Sequence, residues 1–587
     1  MKRIKIIAII CITATCTAIP LACKKSFLNQ TNTFGIPADA AASTRENVIA
    51  TVNSIYDTYQ NSDLLKKCLW YRANFGTHDF FNWGADVFWN NYQIPATFVG
   101  LNTLWNQFYI GISRANYAFP VIEKALTNGV IDASLADRLR GEAYFLRGTI
   151  YYYLAACFGG VPLELATGSD GLTPRSSRDS VFQQVVIDMQ QAATLLWSKT
   201  ALPGADLGRA TKGAAYAYEG AARMWLKDYT GALAAFNNSE LTNNYHLLSN
   251  FADVNEHNRQ NNDESLFEVQ FYLKPGDPQD WGGSWNPPGA ELGWIDSFSW
   301  PNEITQQGYD YGNPALWNSY QSGDKRKLLT IVGPGDQLQS PGIIAKWGGI
   351  KGYPPVVAGF ASTDPVVKAR YTGDNGLIIN TCGSIARPWY GDDNGRTGYV
   401  CAKKWRDPNL TGNYNNPSTG QAHIFGDQNQ ILMRYAEVIL SRAECKVRTN
   451  DIGGAMADLK LVRDRAWGGT APTVMQDSAN YKGDPGVPIT DPLQMVLSEY
   501  RHELSGEYST FFNILRAGTD VAVEFINRIN GAVVNSFNPV VNPAPGPTHD
   551  GQLHGLYNTA ITTNWTLLPI PQSARSANPN LTQNPGY

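Results

Sequence analysis

The chain is poor in charge and poor in the residues that usually carry chemistry. Of 587 residues only 17% are charged, and 47 Lys and Arg against 51 Asp and Glu leave a net charge of −4. Average soluble domains carry about 25% charged residues. No basic field is available to hold nucleic acid, which excludes that partner class. Histidines number seven and are dispersed, so no metal triad follows from their spacing, and no metal or other cofactor is expected. The eight cysteines are scattered and lack any CxxC pair, which leaves a zinc site or a disulfide framework unsupported. Cys382 and Cys401 share one loop-rich stretch and could pair; Cys68, Cys157 and Cys445 read as small buried apolar residues. No HExxH, GxSxG or phosphate-binding glycine loop occurs.

Long apolar runs are missing too, except at the start. Lys2, Arg3 and Lys5 precede a mostly apolar run to Ala22, then Cys23-Lys24-Lys25. This is the pattern of a secretory signal over residues 1–22. The small residue before Cys23 resembles a bacterial lipoprotein box, with Cys23 as the lipidated first residue. An ordinary cleavable signal with an incidental cysteine is the alternative.

What is present is aromatic and loop-rich: 16 Trp, 29 Tyr, 23 Phe, 54 Gly and 33 Pro. Helical periodicity is read at 47–60, 104–126, 136–158, 179–196, 210–227, 232–238, 431–447, 452–465 and 492–517. The pattern fades between 263 and 430, where Gly, Pro, Asn and Trp dominate and 265–272 looks like a strand. These textures suggest a signal at 1–22, a helical region at 23–260, a loop-rich ligand region at 261–430 and a C-terminal helical region at 431–587. Two helix pairs joined by short polar turns carry small residues at helix spacing, as helical-hairpin repeats do. The fold class expected is mainly α, a tetratricopeptide-like hairpin scaffold with long loops and a few short strands.

Two constellations invite a chemical reading. Glu499, Glu503 and Glu507 stand at i, i+4 and i+8, which suits a paired-carboxylate glycosidase but more often marks a solvated face or ion pairs, here to Arg501 and Arg516. No catalytic residue is assigned, and the chain is not expected to be an enzyme. The second constellation is tryptophan in polar loops. Trp83 and Trp89 lie among Asp79, Asn82 and Asp86; Trp285 and Trp294 lie in a Gly-, Pro- and Asn-rich stretch; Trp389 and Trp405 form a third group. Indole faces stack on the C–H face of sugar rings while amides and carboxylates read hydroxyls. Trp83, Trp89, Trp285 and Trp294 are therefore the expected platforms, with Asp79, Asn82 and Asp86 as hydroxyl readers. Loop tryptophans that anchor loops to a core would look the same in sequence.

Ordered motifs run almost end to end. They include Trp105, Tyr109, Ile112, Ala115 and Asn116; Gly141-Glu142-Ala143-Tyr144-Phe145-Leu146-Arg147 with Phe158-Gly159-Gly160-Val161-Pro162-Leu163; and Gly208-Arg209-Ala210-Thr211-Lys212-Gly213. Asn262-Asp263-Glu264-Ser265-Leu266-Phe267-Glu268, Arg434-Tyr435-Ala436-Glu437, and the tail Asn578-Pro579-Asn580-Leu581 to Gly586-Tyr587 follow. In this order they resemble the SusD/RagB family of bacterial surface lipoproteins. The resemblance implies a non-catalytic glycan receptor, lipid-anchored in the outer membrane, that delivers its ligand to a SusC-like TonB-dependent transporter. A lid for a peptide importer and a secreted glycosidase are the competing readings. One departure stands out: where the family carries an Arg and an Asp after the Glu-rich helix, this chain has Thr510 and Asn513, which puts a family helix-to-helix ion pair in doubt.

Overall fold

The computed structural model describes residues 36–82, 86–271, 310–333, 336, 338–347, 428–477, 487–536 and 560–587, with short pieces at 350–352, 377–379, 400–401, 403, 411–415 and 422–425. The first half is a row of helices: α1 (Arg45–Asp57), α2 (Trp70–Phe75), α3 (Val99–Thr127), α4 (Ala133–Phe158), α5 (Arg178–Leu195), α6 (Lys212–Trp225) and α7 (Tyr229–Phe236). The second half supplies α8 (Tyr435–Arg448), α9 (Ile452–Trp467), α10 (Pro492–Leu504), α11 (Thr510–Arg516) and α12 (Thr519–Ser536). From α3 to α9 each helix packs on the next, so α7 meets α8 across two hundred residues of intervening sequence.

Side-chain caps set the helix starts. Thr44, Asp132, Ser177, Thr211 and Asp491 each accept a hydrogen bond from a backbone N–H of the first turn. The two hairpins repeat one turn. In α6–α7 it is Lys227 (φ 60°), Asp228 and Gly231; in α8–α9 it is Asn450 (φ 65°), Asp451 and Gly454. Both aspartates accept from the glycine N–H at 2.9 Å. A Cβ on either glycine would stand 2.2 Å from the capping carboxylate, so a side chain there would make that carboxylate turn aside. The helices thus bury one continuous apolar cluster that includes Leu104, Leu146, Val185, Tyr218, Val438, Leu497 and Phe512.

The tail closes the other end of the array. Helix α4 ends with orphan carbonyls. The Leu568 N–H donates to Cys157 O at 2.8 Å, and the Asn584 amide donates to Phe158 O at 2.9 Å. The terminal motif is therefore a helix cap held in trans.

Two helix boundaries differ from the periodicity. Residues 431–434 begin no helix; Gln430–Arg434 (β4) is a strand antiparallel to Ser265–Val269 (β2), and α8 starts only at Tyr435. The predicted helix at 492–517 is two helices, α10 and α11, separated by a turn in which Gly506 takes φ 86°. The strands are all in two-stranded ladders among the described residues; another pairs Phe80–Asn82 (β1) with Asp310–Gly312 (β3). Among those residues no helix is long and apolar enough to cross a membrane. Cys68, Cys157 and Cys445 are buried free thiols, whereas Cys382 lies outside the described residues and leaves the suggested pairing open.

Candidate functional site

The antiparallel β1–β3 ribbon organises the loop that carries the first tryptophan group. Asn82 and Asp310 are register partners. Trp83 follows Asn82 directly, and the tryptophan-rich stretch 272–309 ends against Asp310, so both segments leave the ribbon at the same end. Trp83, Trp285 and Trp294 themselves lie outside the described residues, as do Trp389 and Trp405.

The other expected contacts are beneath the site rather than in it. Asp79 is fully buried: its Oδ1 accepts from Arg501 Nε at 2.7 Å and its Oδ2 from the Ser505 hydroxyl at 2.9 Å. Asn82 donates to Asp310 Oδ1 at 2.8 Å and exchanges hydrogen bonds with Asn90. Asp86 pairs with Lys67 at 2.9 Å, each side chain about one-tenth exposed. Trp89 is 2% exposed and stands edge-on to Tyr71 and Phe98. A sugar cannot reach these four groups, which corrects their expected roles. They anchor the loop, because a polar side chain leaves water only where partners replace it.

Further buried groups fix the same loop. His78 holds φ 61° and stacks on Tyr92 at 4.9 Å, and burial pushes its imidazole down to about 3, so the ring is neutral. Asp310 is pushed up by burial, against the pull of its Asn82 hydrogen bond, to about 7. Nearby Asp86 raises it further, and Lys67 and the Tyr71 hydroxyl act in the opposite sense. Because the folded pKa exceeds that of the unfolded chain, ionising Asp310 costs stability progressively as pH rises from about 4 to 7. Asp310→Asn should remove that slope and raise stability at pH 8 by on the order of 2–4 kcal/mol, read from denaturation at pH 5 and pH 8.

The acidic ladder of α10 is the largest surprise of the chain. Glu499 and Glu503 lie on α10 and Glu507 in the following turn, and none faces solvent. Arg326 pairs with Asp324 at 2.6 Å, Glu499 at 2.5 Å and Glu503 at 2.9 Å. Arg434 holds Glu264 at 2.6 Å, Glu503 at 2.5 Å and Glu507 at 2.8 Å. Arg465 bridges Glu264 and Glu503, Lys403 pairs with Glu507 at 2.5 Å, and Arg463 reaches Glu499 at 3.3 Å. Five carboxylates meet five cations, so the buried charge sums to zero. The Phe251 ring covers three of the cations at 5.1–5.9 Å. The arginines named beforehand pair elsewhere: Arg501 with Asp79 and Arg516 with Glu444 at 3.1 Å.

Burial alone would raise Glu503, yet the guanidiniums of Arg465, Arg434 and Arg326 hold it well below the usual carboxylate range. Glu507 is likewise lowered by Arg434 and Lys403 against its burial. A glycosidase acid needs the opposite, a raised pKa and access to the glycosidic oxygen. These carboxylates are a clamp between the loop region and the C-terminal helices. The substitution at Asn513 is also absorbed: its amide donates to Glu437 at 2.8 Å, so a side-chain hydrogen bond rather than an ion pair joins α11 to α8.

The SusD family model matches residues 248–587, and a second model, described as starch-binding and associating with the outer membrane, matches residues 26–226. The chain belongs to the SusD family. Among its relatives, SusD-like protein P38 of Formosa agariphila is 27% identical over 446 residues, covering 73% of this chain and 74% of that one. Its fold is similar to surface glycan-binding protein A from Bacteroides thetaiotaomicron (TM-score 0.63, 18% identity, 93% of this chain and all of that one). It is likewise similar to a laminarin binding SusD-like protein (TM-score 0.61, 20% identity, 93% and 100%). In this SusD-like chain the motifs that carry the family fall on caps, helix contacts and the charge clamp.

Proposed function

We propose that the protein is a non-catalytic, lipid-anchored glycan receptor at the outer-membrane surface that hands oligosaccharide to a SusC-like TonB-dependent transporter. The observation that carries this reading is the β1–β3 ribbon. A base held by buried hydrogen bonds and ion pairs, among them Asn82 to Asp310, Asp79 to Arg501 and Asp86 to Lys67, lies where the chain runs on to Trp83 and to the stretch bearing Trp285 and Trp294, at adjacent strand ends. Stacking platforms need such a base, since an indole must be held in place before sugar arrives. Relatives described as glycan-binding and laminarin-binding support the ligand class. The neutralised carboxylates of the clamp support a receptor over a hydrolase.

Cys23 is the proposed anchor. One acyl chain gives only marginal membrane affinity, and stable attachment needs the several chains of a bacterial lipoprotein. Cys23→Ala should move the protein from the membrane to the soluble fraction without changing its folding; unchanged fractionation rejects the anchor. Transport needs a barrel, and the described residues supply none. Purification in mild detergent at native expression should therefore yield a complex with a TonB-dependent barrel. Recovery of the protein alone rejects that partner.

A further inference from the structure

Helix α3, the loop that follows α4 and the C-terminal tail enclose a groove of about 420 Å³, within the roughly 300–1,000 Å³ usual for small-molecule sites. Among the described residues, none of the β1–β3 ribbon lines it, so it shares no wall with that ribbon. Its apolar side is fixed from within. The Trp105 and Tyr109 rings of α3 lie 5.1 Å apart, tilted by 39°, and the Tyr109 hydroxyl donates to Pro162 O at 2.9 Å.

The polar side is held in place yet left unpaired. Both backbone groups of Glu164 are fixed. Its N–H donates to the Tyr151 hydroxyl at 2.7 Å, and its carbonyl accepts from Tyr151 at 2.9 Å and from the Asn116 amide at 3.0 Å. Its half-buried carboxylate, by contrast, has no hydrogen-bond or ion-pair partner among the described residues. The side chains of Asn106, Ser113 and Thr167, which also line the groove, have none there either. No Lys, Arg or His stands in the described lining. A carboxylate drawn partly out of water is normally paired, so this arrangement suits a ligand that brings donors.

We propose that the groove is a second glycan subsite, which takes the end of a neutral oligosaccharide. Sugar hydroxyls donate to Glu164 and exchange hydrogen bonds with Asn106, Ser113 and Thr167, while the ring's C–H face lies on Tyr109. Three neutral polar groups beside one carboxylate suit a polyol; a simple amine would engage only the carboxylate. An acidic sugar is disfavoured, because Glu164 repels it and no cation in the described lining answers its charge. This inference rests on the glycan-receptor reading and adds a second point of attachment, which slows the release of a chain long enough to reach both sites.

Calorimetry of the Cys23→Ala mature protein against neutral oligosaccharides, those of laminarin first, and against uronate oligosaccharides tests this. A neutral sugar should fill two classes of site. Glu164→Ala should weaken one class about tenfold, and Ser113→Trp, at an exposed position, should abolish the same class; melting should stay unchanged in both. Trp83→Ala should weaken only the other class. A single class that both groove variants spare overturns the subsite and leaves the receptor reading standing. One class weakened by the groove variants and by Trp83→Ala alike makes the groove part of a single site, which also overturns it. So does groove binding that is tighter for uronates, or that putrescine displaces. No binding of any glycan overturns both the subsite and the receptor reading.

Discussion

Arg434→Ala should cost about 3–5 kcal/mol of folding stability, measured by chemical denaturation. The side chain is 1% exposed and neutralises Glu264, Glu503 and Glu507 together. Its removal strands carboxylates that water cannot reach, and a stranded buried charge costs far more than the net worth of the pair. Lys460→Ala is the internal control. Its partner Asp464 sits on the same helix face with the lysine 59% exposed, so the change should fall below about 0.5 kcal/mol. Equal losses in the two variants would mean that the clamp is solvated. The clamp also sets acid sensitivity. Glu503 and Glu507 are held below their unfolded pKa, so their contribution is complete above about pH 4.5 and is lost as pH falls below it.

The tryptophans should divide into two groups when melting and glycan affinity are measured on the same alanine variants. Trp89→Ala removes a 2% exposed ring packed on Tyr71 and Phe98 and should cost about 3–5 kcal/mol of stability. Glycan affinity of the folded fraction should persist. Trp83→Ala, Trp285→Ala and Trp294→Ala should instead leave melting unchanged and weaken binding by about 1–3 kcal/mol, roughly 5- to 150-fold. If all three lower melting and spare affinity, they are loop anchors like Trp89 and the site lies elsewhere.

The helical scaffold was legible because its signals are local. Thr211, Asp228 and Asp451 cap within three residues, and apolar periodicity supplies the buried face. The misread boundary at Ile431–Arg434 has a nonlocal cause: an apolar run became a strand because its partner stands more than 160 residues earlier in sequence. The α10 carboxylates show the same limit. Spacing of i, i+4 is identical for a solvated face and a buried clamp, and the arginines that decide the matter come from other elements, with Arg326 173 residues from Glu499. Asp79 and Asn82 looked solvated in a polar loop for the same reason, since Arg501 lies 422 residues away and Asp310 228. Polar loop composition points to a site region; it does not separate the residues that touch ligand from those that hold the loop.

Isothermal calorimetry of the Cys23→Ala mature protein against polysaccharides and their oligosaccharides, laminarin first, tests the central claim most directly. A glycan receptor predicts saturable binding of at least one glycan, abolished or weakened by Trp83→Ala and retained by the folded fraction of Trp89→Ala. No heat with any glycan, together with saturable binding of peptides, would contradict it.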